Sequence, residues 1–196
     1  MEYHVVKYTG PFGFIKPWTA VRDSETFSQQ FLTPSIVEGM EKKLFPELLG
    51  KPGIHKILRH RLSYQQMASQ QEQVQPRGWN RSRIDGKKAW VRKYAVTIRS
   101  VLLSPVLWLA FEEKEAAEQA LGQHICLCRN EDILYPESLI TVPASDFDQD
   151  SDAFPGYELI FEQNEQSFLV GYNRGQDAKP MYGWLKVVGT PVKSLS

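Results

Sequence analysis

The chain has 196 residues, of which 42% are hydrophobic and 23% charged, a globular composition that excludes a disordered or fibrous protein. This length predicts one compact domain, or one domain with a small appendage. The formal net charge is zero, but residues 1–100 carry seventeen Lys and Arg against eight Asp and Glu, and residues 101–196 carry six against fifteen. Such asymmetry indicates that the first half alone is suited to a polyanion.

Cysteine usage and hydropathy predict a cytoplasmic protein that makes no membrane contact. Cys126 and Cys128 lie too close together on one extended segment to be good disulfide partners, so we interpret them as core thiols in a reducing compartment. The N-terminal residues lack the basic and apolar regions of a signal peptide. The longest apolar run, residues 101–111, is far shorter than the roughly 20 residues that cross a bilayer.

The first part of the chain predicts a strand, a helix and a second strand. Aromatic and β-branched residues predict a strand over residues 3–8, which ends at a glycine-rich and proline-rich turn over residues 10–13. Thr33 and Pro34 indicate the start of a helix, because proline is favoured at the first helical position. The residues after Gly53 predict the second strand, over 54–64.

The next part contains an excursion between predicted strands. Residues 65–88 include few apolar side chains, so this segment cannot form core and is predicted to project as a loop or long hairpin. Strict alternation predicts a third strand over residues 90–98, and a short apolar strand follows over residues 106–111. A second helix over residues 112–121 and a strand over residues 124–128 complete the pattern.

The order β-α-β-excursion-β-α-β is that of the ferredoxin-like arrangement. The predicted fold class is therefore α+β, with a ferredoxin-like domain over residues 1–143 from which a basic β-hairpin projects over about 65–88. Residues 144–196 are predicted to form an acidic linker and a small β-rich C-terminal extension. The same open sheet underlies RNA-recognition modules, so the arrangement is compatible with RNA without indicating it specifically.

The strongest candidate site is the basic excursion. Residues 51–99 carry twelve Lys and Arg against Glu72 and Asp85, and residues 77–83 interleave arginines with Trp79. Arginine forks bind phosphate, and a flat indole provides a surface on which an unpaired base stacks. A solvated loop that binds nothing is the alternative, but such a loop mixes charges of both signs. The pattern favours contact with a single-stranded nucleic acid.

Other chemistry is less well supported. Gly10 and Gly13 could present backbone N–H groups to a phosphate, although the same residues also make an ordinary turn. We predict no metal or cofactor, because the sequence contains no HExxH or CxxC motif. Metal-independent RNA cleavage is an alternative in which His55, His60, Tyr64 and Lys88 could supply the acid, base and cation. On a regular strand, however, the two histidines fall on opposite faces.

Several segments, in this order and spacing, resemble the Cas-five family of RAMP-type subunits of type I CRISPR surveillance complexes. The family pattern is a glycine-proline-phenylalanine turn, a basic polar stretch, a helix that opens with proline and a small hydroxylated residue, and a later glycine-arginine-glutamate segment. The matching residues are Gly10-Pro11-Phe12-Gly13-Phe14, Lys16-Pro17, Arg22, Leu32-Thr33-Pro34-Ser35-Ile36-Val37-Glu38-Gly39-Met40 and Cys128-Arg129-Asn130-Glu131-Asp132.

The resemblance implies an RNA-binding subunit of a Cascade-like complex that caps the 5′ handle of the CRISPR RNA. It implies a ferredoxin-like palm, and a hairpin thumb that reaches the adjacent backbone subunit, for which residues 65–88 are the natural candidate. The large subunit, and target DNA near the PAM, would lie close by. The branch of the family that cuts precursor RNA uses a tyrosine with a lysine-histidine pair. Lys88 is followed here by Ala89, so the resemblance implies a non-catalytic subunit.

The candidate RNA-binding residues follow from these arguments taken together. Trp18 and Trp79 are the candidate stacking residues, with packing in the core as the alternative for each. The candidate phosphate contacts are Lys16, Arg22, Arg59, Arg61, Arg77, Arg81, Arg83, Lys87, Lys88, Arg92, Lys93 and Arg129, with Gly10 and Gly13 as the candidate backbone phosphate loop.

Overall fold

The fold is α+β, with antiparallel sheet predominating. The computed structural model describes residues 1–17, 25–74, 78–92, 95–149, 151–173 and 177–193. The strands are β1 (Glu2–Thr9), β2 (Phe12–Gly13), β3 (Glu25–Phe27), β4 (Ile57–Ser63), β5 (Gln66–Val74), β6 (Asn80–Ile84), β7 (Lys87–Val91), β8 (Ala95–Leu103), β9 (Val106–Phe111), β10 (Ile125–Cys126), β11 (Ile133–Pro143), β12 (Gly156–Ile160), β13 (Phe168–Asn173) and β14 (Lys179–Val188). The helices are α1 (Pro34–Leu44), α2 (Lys114–Leu121), α3 (Ala144–Asp148) and a short 3-10 turn (Pro46–Leu48).

One eight-stranded sheet organises the molecule. Its strand order is β10-β11-β1-β9-β4-β12-β14-β13, and every neighbouring pair runs antiparallel. The predicted first strand is confirmed as β1, and the predicted short apolar strand is confirmed as β9. β9 lies between β1 and β4, and four of its six residues are buried and the other two half-buried, which explains why its sequence is a nearly continuous apolar run.

Side chains cover both faces of this sheet. On one face, even-numbered β1 residues such as Val6 and Tyr8 pack with apolar residues of α1 and α2 in the main core. On the other face, Val5 and Ala110 pack against Phe147 of α3 and Phe154 beyond it. The second face is therefore not an open RNA-binding platform at its centre, because α3 and the chain after it cover β1 and β9.

The first helix begins as its sequence predicts. Thr33 occupies the N-cap position with extended backbone, and Pro34 is the first helical residue. Glu41, on the buried side of α1, is fully buried and its carboxylate accepts hydrogen bonds from backbone N–H groups of His55 and Ile57, each at 2.8 Å. These hydrogen bonds satisfy a carboxylate that would otherwise be costly to bury. They also tie the start of β4 to α1.

The excursion is longer than the sequence predicts, and the predicted third strand is wrong in its placement. β5 pairs with β8 over nine residues, from Gln66 opposite Leu103 onwards, and β6 pairs with β7 in a separate two-stranded sheet. The predicted strand over 90–98 is therefore divided between β7 and β8, and β9 is the strand that enters the main sheet. Alternation of polar and apolar residues predicts extended chain, but it is the same in a projecting ribbon and in a half-buried sheet.

The acidic segment after residue 143 is not a flexible linker. It forms α3, and Asp148 of this helix makes an ion pair with Arg59. Asp152 accepts a hydrogen bond of 2.6 Å from the backbone N–H of Thr190. β12 then pairs with β4, so the C-terminal strands extend the same sheet.

Two smaller findings concern the compartment predictions. Cys126 is half-buried and Cys128 is exposed, so the interpretation of both as core thiols is wrong for Cys128. No helix in the described part of the chain combines the length and apolar character needed to span a membrane.

Candidate nucleic-acid interface

The tip of the excursion is a hairpin with a two-residue turn. Asp85 and Gly86 occupy the turn with φ of 50° and 76°. Positive φ at both central positions is the backbone pattern whose twist matches that of paired strands, and Asp-Gly is among the sequences best suited to it. The turn fixes the register, in which Ile84 is opposite Lys87, and so decides which side chains share a face.

One face of this hairpin alternates cations with indoles. Arg81 lies directly opposite Trp90, and Arg83 lies directly opposite Lys88. The same alternation continues to Trp79 and Arg92 at the ends of the strands, where the Arg92 guanidinium lies 4.9 Å from the centre of the Trp79 ring. We call this surface the cationic–aromatic face; its members are Trp79, Arg81, Arg83, Lys88, Trp90 and Arg92.

The cationic–aromatic face is exposed and carries one sign of charge. Its six residues are exposed, with Trp79 at 57% and Trp90 at 61%. Among the residues that the structure describes, no carboxylate lies within 4.0 Å of the cationic groups of Arg81, Arg83 or Lys88. Two cations placed directly opposite each other in a ribbon repel. An external anion would relieve that repulsion, so the face is chemically suited to a polyanion.

Lys87 lies on the other side of the hairpin. It is exposed, but its cross-strand partner is Ile84, and alternation places both with Ser82 and Ala89 rather than with the cationic–aromatic face. The sequence predicts Lys87 as a phosphate contact together with Lys88, but the hairpin places these two lysines on opposite faces.

Arg59 and Arg61 do not belong to an exposed cationic surface, and their prediction as phosphate contacts needs correction. Both pair with Glu158 of β12, which is 1% exposed, and Arg59 also pairs with Asp148. Arg61 is itself fully buried and donates a 3.0 Å hydrogen bond to the Phe154 carbonyl oxygen. Their charges neutralise acids of the C-terminal half, so they are not available to an external phosphate.

Burial lowers the pKa of both guanidinium groups, but the neighbouring carboxylates outweigh it only for Arg59. For Arg59, burial lowers the pKa, but the hydrogen bonds and charges of Glu158 and Asp148 outweigh it and the pKa is raised. For Arg61, burial dominates and the pKa is lowered, since it shares Glu158 with Arg59 and is repelled by it. The shared carboxylate makes this cluster a tie between β4 and β12.

Arg129 is also engaged within the protein. Its guanidinium binds both carboxylate oxygens of Asp132, at 2.8 and 2.6 Å, and Asp132 is fully buried. It also lies 5.3 Å from the centre of the Phe14 ring, and the guanidinium of Arg99, which pairs with Glu72, lies 5.2 Å from the same ring centre. The hydrogen bonds of Asp132, and after them its charge, raise the pKa of Arg129. The contacts of Arg129 stabilise the turn before β11 rather than leave the cation open to phosphate.

Gly10 and Gly13 lie where neighbouring segments pack closely, and they do not form a phosphate-binding loop. The Gly10 N–H donates to the Pro105 carbonyl oxygen at 3.3 Å, and a Cβ on this residue would lie 2.5 Å from the carbonyl oxygen of Ile133. At Gly13, in β2, a Cβ would lie 2.3 Å from a methyl carbon of Leu127. Gly10 requires glycine because the backbone of Ile133 approaches closely, and the space above Gly13 is filled by the Leu127 side chain, so the prediction of a phosphate-binding loop is corrected.

The remaining candidates divide into one exposed residue and four undescribed ones. Lys16 is exposed beside β2. Trp18, Arg22, Arg77 and Lys93 lie outside the residues that the structure describes.

Trp90 is the residue of this face that the sequence analysis missed. The sequence pattern places it at the start of the predicted third strand, over residues 90–98. The signal that identifies it is the Asp85-Gly86 pair, since a two-residue turn at that point places Trp90 opposite Arg81.

The residues considered for RNA cleavage occupy different environments. His60 is buried, its ring stacks on Phe161 at 5.5 Å, and burial lowers its pKa to about 4. Tyr64 is 5% exposed and donates a 2.7 Å hydrogen bond to Gln30, and burial raises its pKa to about 12. His55 is exposed, with one ring nitrogen 3.0 Å from the Pro52 carbonyl oxygen. Within the described ranges, no three His, Cys, Asp or Glu residues come together as metal ligands.

Comparison with known proteins gives a structural match but no sequence match. No family model matches the chain. No curated protein matches it in sequence. Among solved structures, a chain described as a "CRISPR RNA-guided surveillance complex" is similar, with a TM-score of 0.51 and 14% identity over 95% of this chain and 90% of that chain. At this identity the similarity shows the fold alone.

Proposed function

We propose that this protein is a non-catalytic RNA-binding subunit of a Cascade-like CRISPR surveillance complex. In this proposal it caps the 5′ handle of the CRISPR RNA, and it contacts the adjacent backbone subunit and the large subunit near the PAM of the target DNA. The cationic–aromatic face is the observation that carries the proposal, because it combines exposed cationic phosphate donors with exposed indoles. Arg81, Arg83 and Lys88 supply charge, and Trp79 and Trp90 supply flat surfaces.

The topology supports the choice of complex. Six elements follow one another along the chain in the order β-α-β-β-α-β, namely β1, α1, β4, β9, α2 and β11. The four strands lie in the sheet in the order β11-β1-β9-β4. This is the strand order expected of a ferredoxin-like RAMP domain, with the excursion inserted between β4 and β9. The similar solved chain comes from a CRISPR RNA-guided surveillance complex, and the sequence segments that resemble the Cas-five family add to this support.

The absence of catalysis is part of the proposal. The surroundings of His60 and Tyr64 support it: one is buried with a lowered pKa, and the other is buried and hydrogen-bonded with a raised pKa. In such complexes base pairing by the guide reads the target sequence, so a capping subunit has only to hold the RNA in shape.

Sequencing the RNA that copurifies with the tagged full-length protein from its own cells tests the proposal. We expect CRISPR RNAs whose 5′ ends begin with a common repeat-derived handle. RNA no different from that of a mock purification would contradict the proposal.

Incubation of the purified protein with repeat RNA in EDTA tests the absence of catalysis separately. We expect intact RNA. Cleavage that leaves a 2′,3′-cyclic phosphate, and that is lost in His55→Ala or Tyr64→Ala, would identify the protein as a metal-independent endoribonuclease instead.

A further inference from the structure

We propose that Trp79 and Trp90 form a slot that binds one unstacked nucleobase of the RNA. This inference rests on the proposed RNA-binding function and adds a base-binding subsite to a surface otherwise suited to phosphate. The two indoles are the described residues that line one open depression on the hairpin.

The exposure of the two indoles is the first argument. At 57% and 61%, both are among the exposed large apolar side chains of the protein, whereas Trp108 and Trp184 are partly buried and their indole N–H groups are fully buried. Keeping two large apolar rings in water on a two-stranded ribbon gives up the stabilisation that their burial would provide. A ligand that covers them recovers it.

Their spacing is the second argument. Trp90 is directly opposite Arg81, so Trp79, two residues before Arg81, is its diagonal neighbour on the same face. The Cα atoms of diagonal neighbours in an antiparallel pair lie about 7–8 Å apart and their Cβ atoms somewhat less, so the two indoles rise from the hairpin at about this spacing. One planar base with van der Waals contact of about 3.5 Å on each side spans about 7 Å. The separation therefore suits a single inserted base.

The two arginines beside the slot are the third argument. The Arg81 guanidinium lies 5.4 Å from the centre of the Trp90 ring, and the Arg92 guanidinium lies 4.9 Å from the centre of the Trp79 ring. Cation–π contacts restrict the motion of the exposed rings before the ligand arrives, which lowers the entropic cost of binding. The same guanidinium groups place phosphate donors beside the base.

The charge around the slot favours a nucleobase over an apolar side chain of a protein. Arg81, Arg83, Lys88 and Arg92 all lie on this face, and an apolar protein surface would have to desolvate these cations without a counterion. A nucleotide brings its own phosphate. Because stacking uses the π face that all bases share, we expect little dependence on base identity.

The test compares two probes for the full-length protein, a fluorescent twelve-nucleotide oligoadenylate RNA and inorganic polyphosphate of similar charge. Trp79→Ala and Trp90→Ala are each expected to weaken RNA binding about tenfold, to combine with little further loss in the double variant, and to leave polyphosphate binding unchanged. Trp90→Phe keeps a flat ring and should recover part of the affinity. Ile84→Ala, an exposed apolar residue on the other face of the hairpin, is the control that should change neither.

The outcomes separate this slot from the function on which it rests. Equal losses for RNA and polyphosphate would mean that the indoles only order the arginines, and no loss for either probe would mean that they bind nothing; both results overturn the slot. In both cases a large loss in Arg81→Glu/Arg83→Glu would leave the proposed RNA-binding function standing, whereas no loss in that variant would contradict the function itself. Trp variants that bind RNA normally but no longer assemble with another subunit would assign the indoles to a protein contact instead.

Discussion

At the scale of single residues, the arginines that the structure describes include buried, paired ones and exposed ones that the charge pattern of the sequence does not distinguish. Arg61 is fully buried and bound to Glu158, and Arg81 is exposed with no carboxylate nearby among the described residues. Both lie within the basic half of the chain, and the sequence predicted both as phosphate contacts. The acid that neutralises Arg61 is ninety-seven residues away in sequence, so only the three-dimensional fold reveals the pairing.

Lys88 and Lys87 are adjacent lysines that lie on opposite faces of the hairpin, so charge reversal at each provides a matched pair. We expect Lys88→Glu to weaken binding of single-stranded RNA more than Lys87→Glu does. We also expect Lys88→Glu to reduce the slope of log K against log salt by at least about 0.7, since one phosphate contact is lost. Fluorescence anisotropy titrations at several salt concentrations measure both quantities. Equal effects would show that general charge, rather than this face, attracts the RNA.

Substitutions of Glu158 and Arg61 test the buried ion cluster that these two residues form with Arg59. Glu158→Gln leaves two arginines without their shared carboxylate, and we expect a loss of about 3–5 kcal/mol in the free energy of unfolding. Arg61→Met should cost much less, because Glu158 keeps its two-point contact with Arg59 at 2.5 and 2.7 Å, and a repulsion between arginines is removed. Urea unfolding measures both; the reverse order of losses would contradict this account of the cluster.

At the scale of elements, sequence patterns predict individual strands and helices better than they predict their partners. β1, α1, β9 and α2 follow from apolar periodicity and from helix-start residues such as Thr33 and Pro34. The strand predicted over 90–98 fails because alternation does not specify which sheet a strand joins. The prediction of a linker after residue 143 also fails, since an acidic composition does not indicate α3 or the ion pair of Asp148 with Arg59.

The candidate site was predictable only in part, because the sequence indicates which segments are charged but not which charges are paired in the fold. Clustered charge and Trp79 pointed to the excursion, and the Asp85-Gly86 turn contained enough information to fix the register. The sequence wrongly predicts three arginines as phosphate contacts, Arg59, Arg61 and Arg129. The first two pair with an acid that is distant in sequence, and the third pairs with an acid of a local turn whose geometry the sequence does not reveal.

The hairpin is expected to be separable from the fold. β6 and β7 pair only with each other among the described strands, and their side chains are exposed or half-buried. Replacing residues 79–92 by a short Gly-Ser linker should change the midpoint of thermal unfolding by no more than a few degrees, but should abolish most of the RNA affinity. A protein that unfolds would show that the hairpin packs against the core, and one that binds RNA unchanged would place the interface elsewhere.

At the scale of the whole molecule, the charge asymmetry of the sequence has a structural counterpart. Part of the basic half is neutralised by the acidic half, through Glu158 and Asp148, and this contact joins β4 to the C-terminal strands of the same sheet. Among the described residues, the projecting hairpin carries exposed cations, of which Arg81, Arg83 and Lys88 have no carboxylate within 4.0 Å. A protein of zero formal net charge can therefore present a local surface for a polyanion.

The stability of the whole domain should fall in mild acid because of His60. Its pKa in the folded protein is about 4, lowered by burial, whereas an unfolded histidine has a pKa of about 6.5. As the pH falls from about 6.5 towards 4, the unfolded chain binds a proton that the folded protein excludes, so the free energy of unfolding decreases by a few kcal/mol. Glu158 and Arg59 face this ring with opposite effects on its pKa. In His60→Phe this part of the loss should disappear, and identical pH profiles of urea unfolding for the two proteins would contradict the assignment.

The measurement that tests the central claim most directly is ultraviolet crosslinking of the assembled complex, followed by mass spectrometry of the crosslinked peptides. Because the cationic–aromatic face carries the exposed charges and indoles, we predict nucleotides attached within residues 79–92, and most of all at Trp79 or Trp90. The attached RNA should come from the 5′ end of the CRISPR RNA. Crosslinks confined to other surfaces of the protein, with none in this hairpin, would contradict the account.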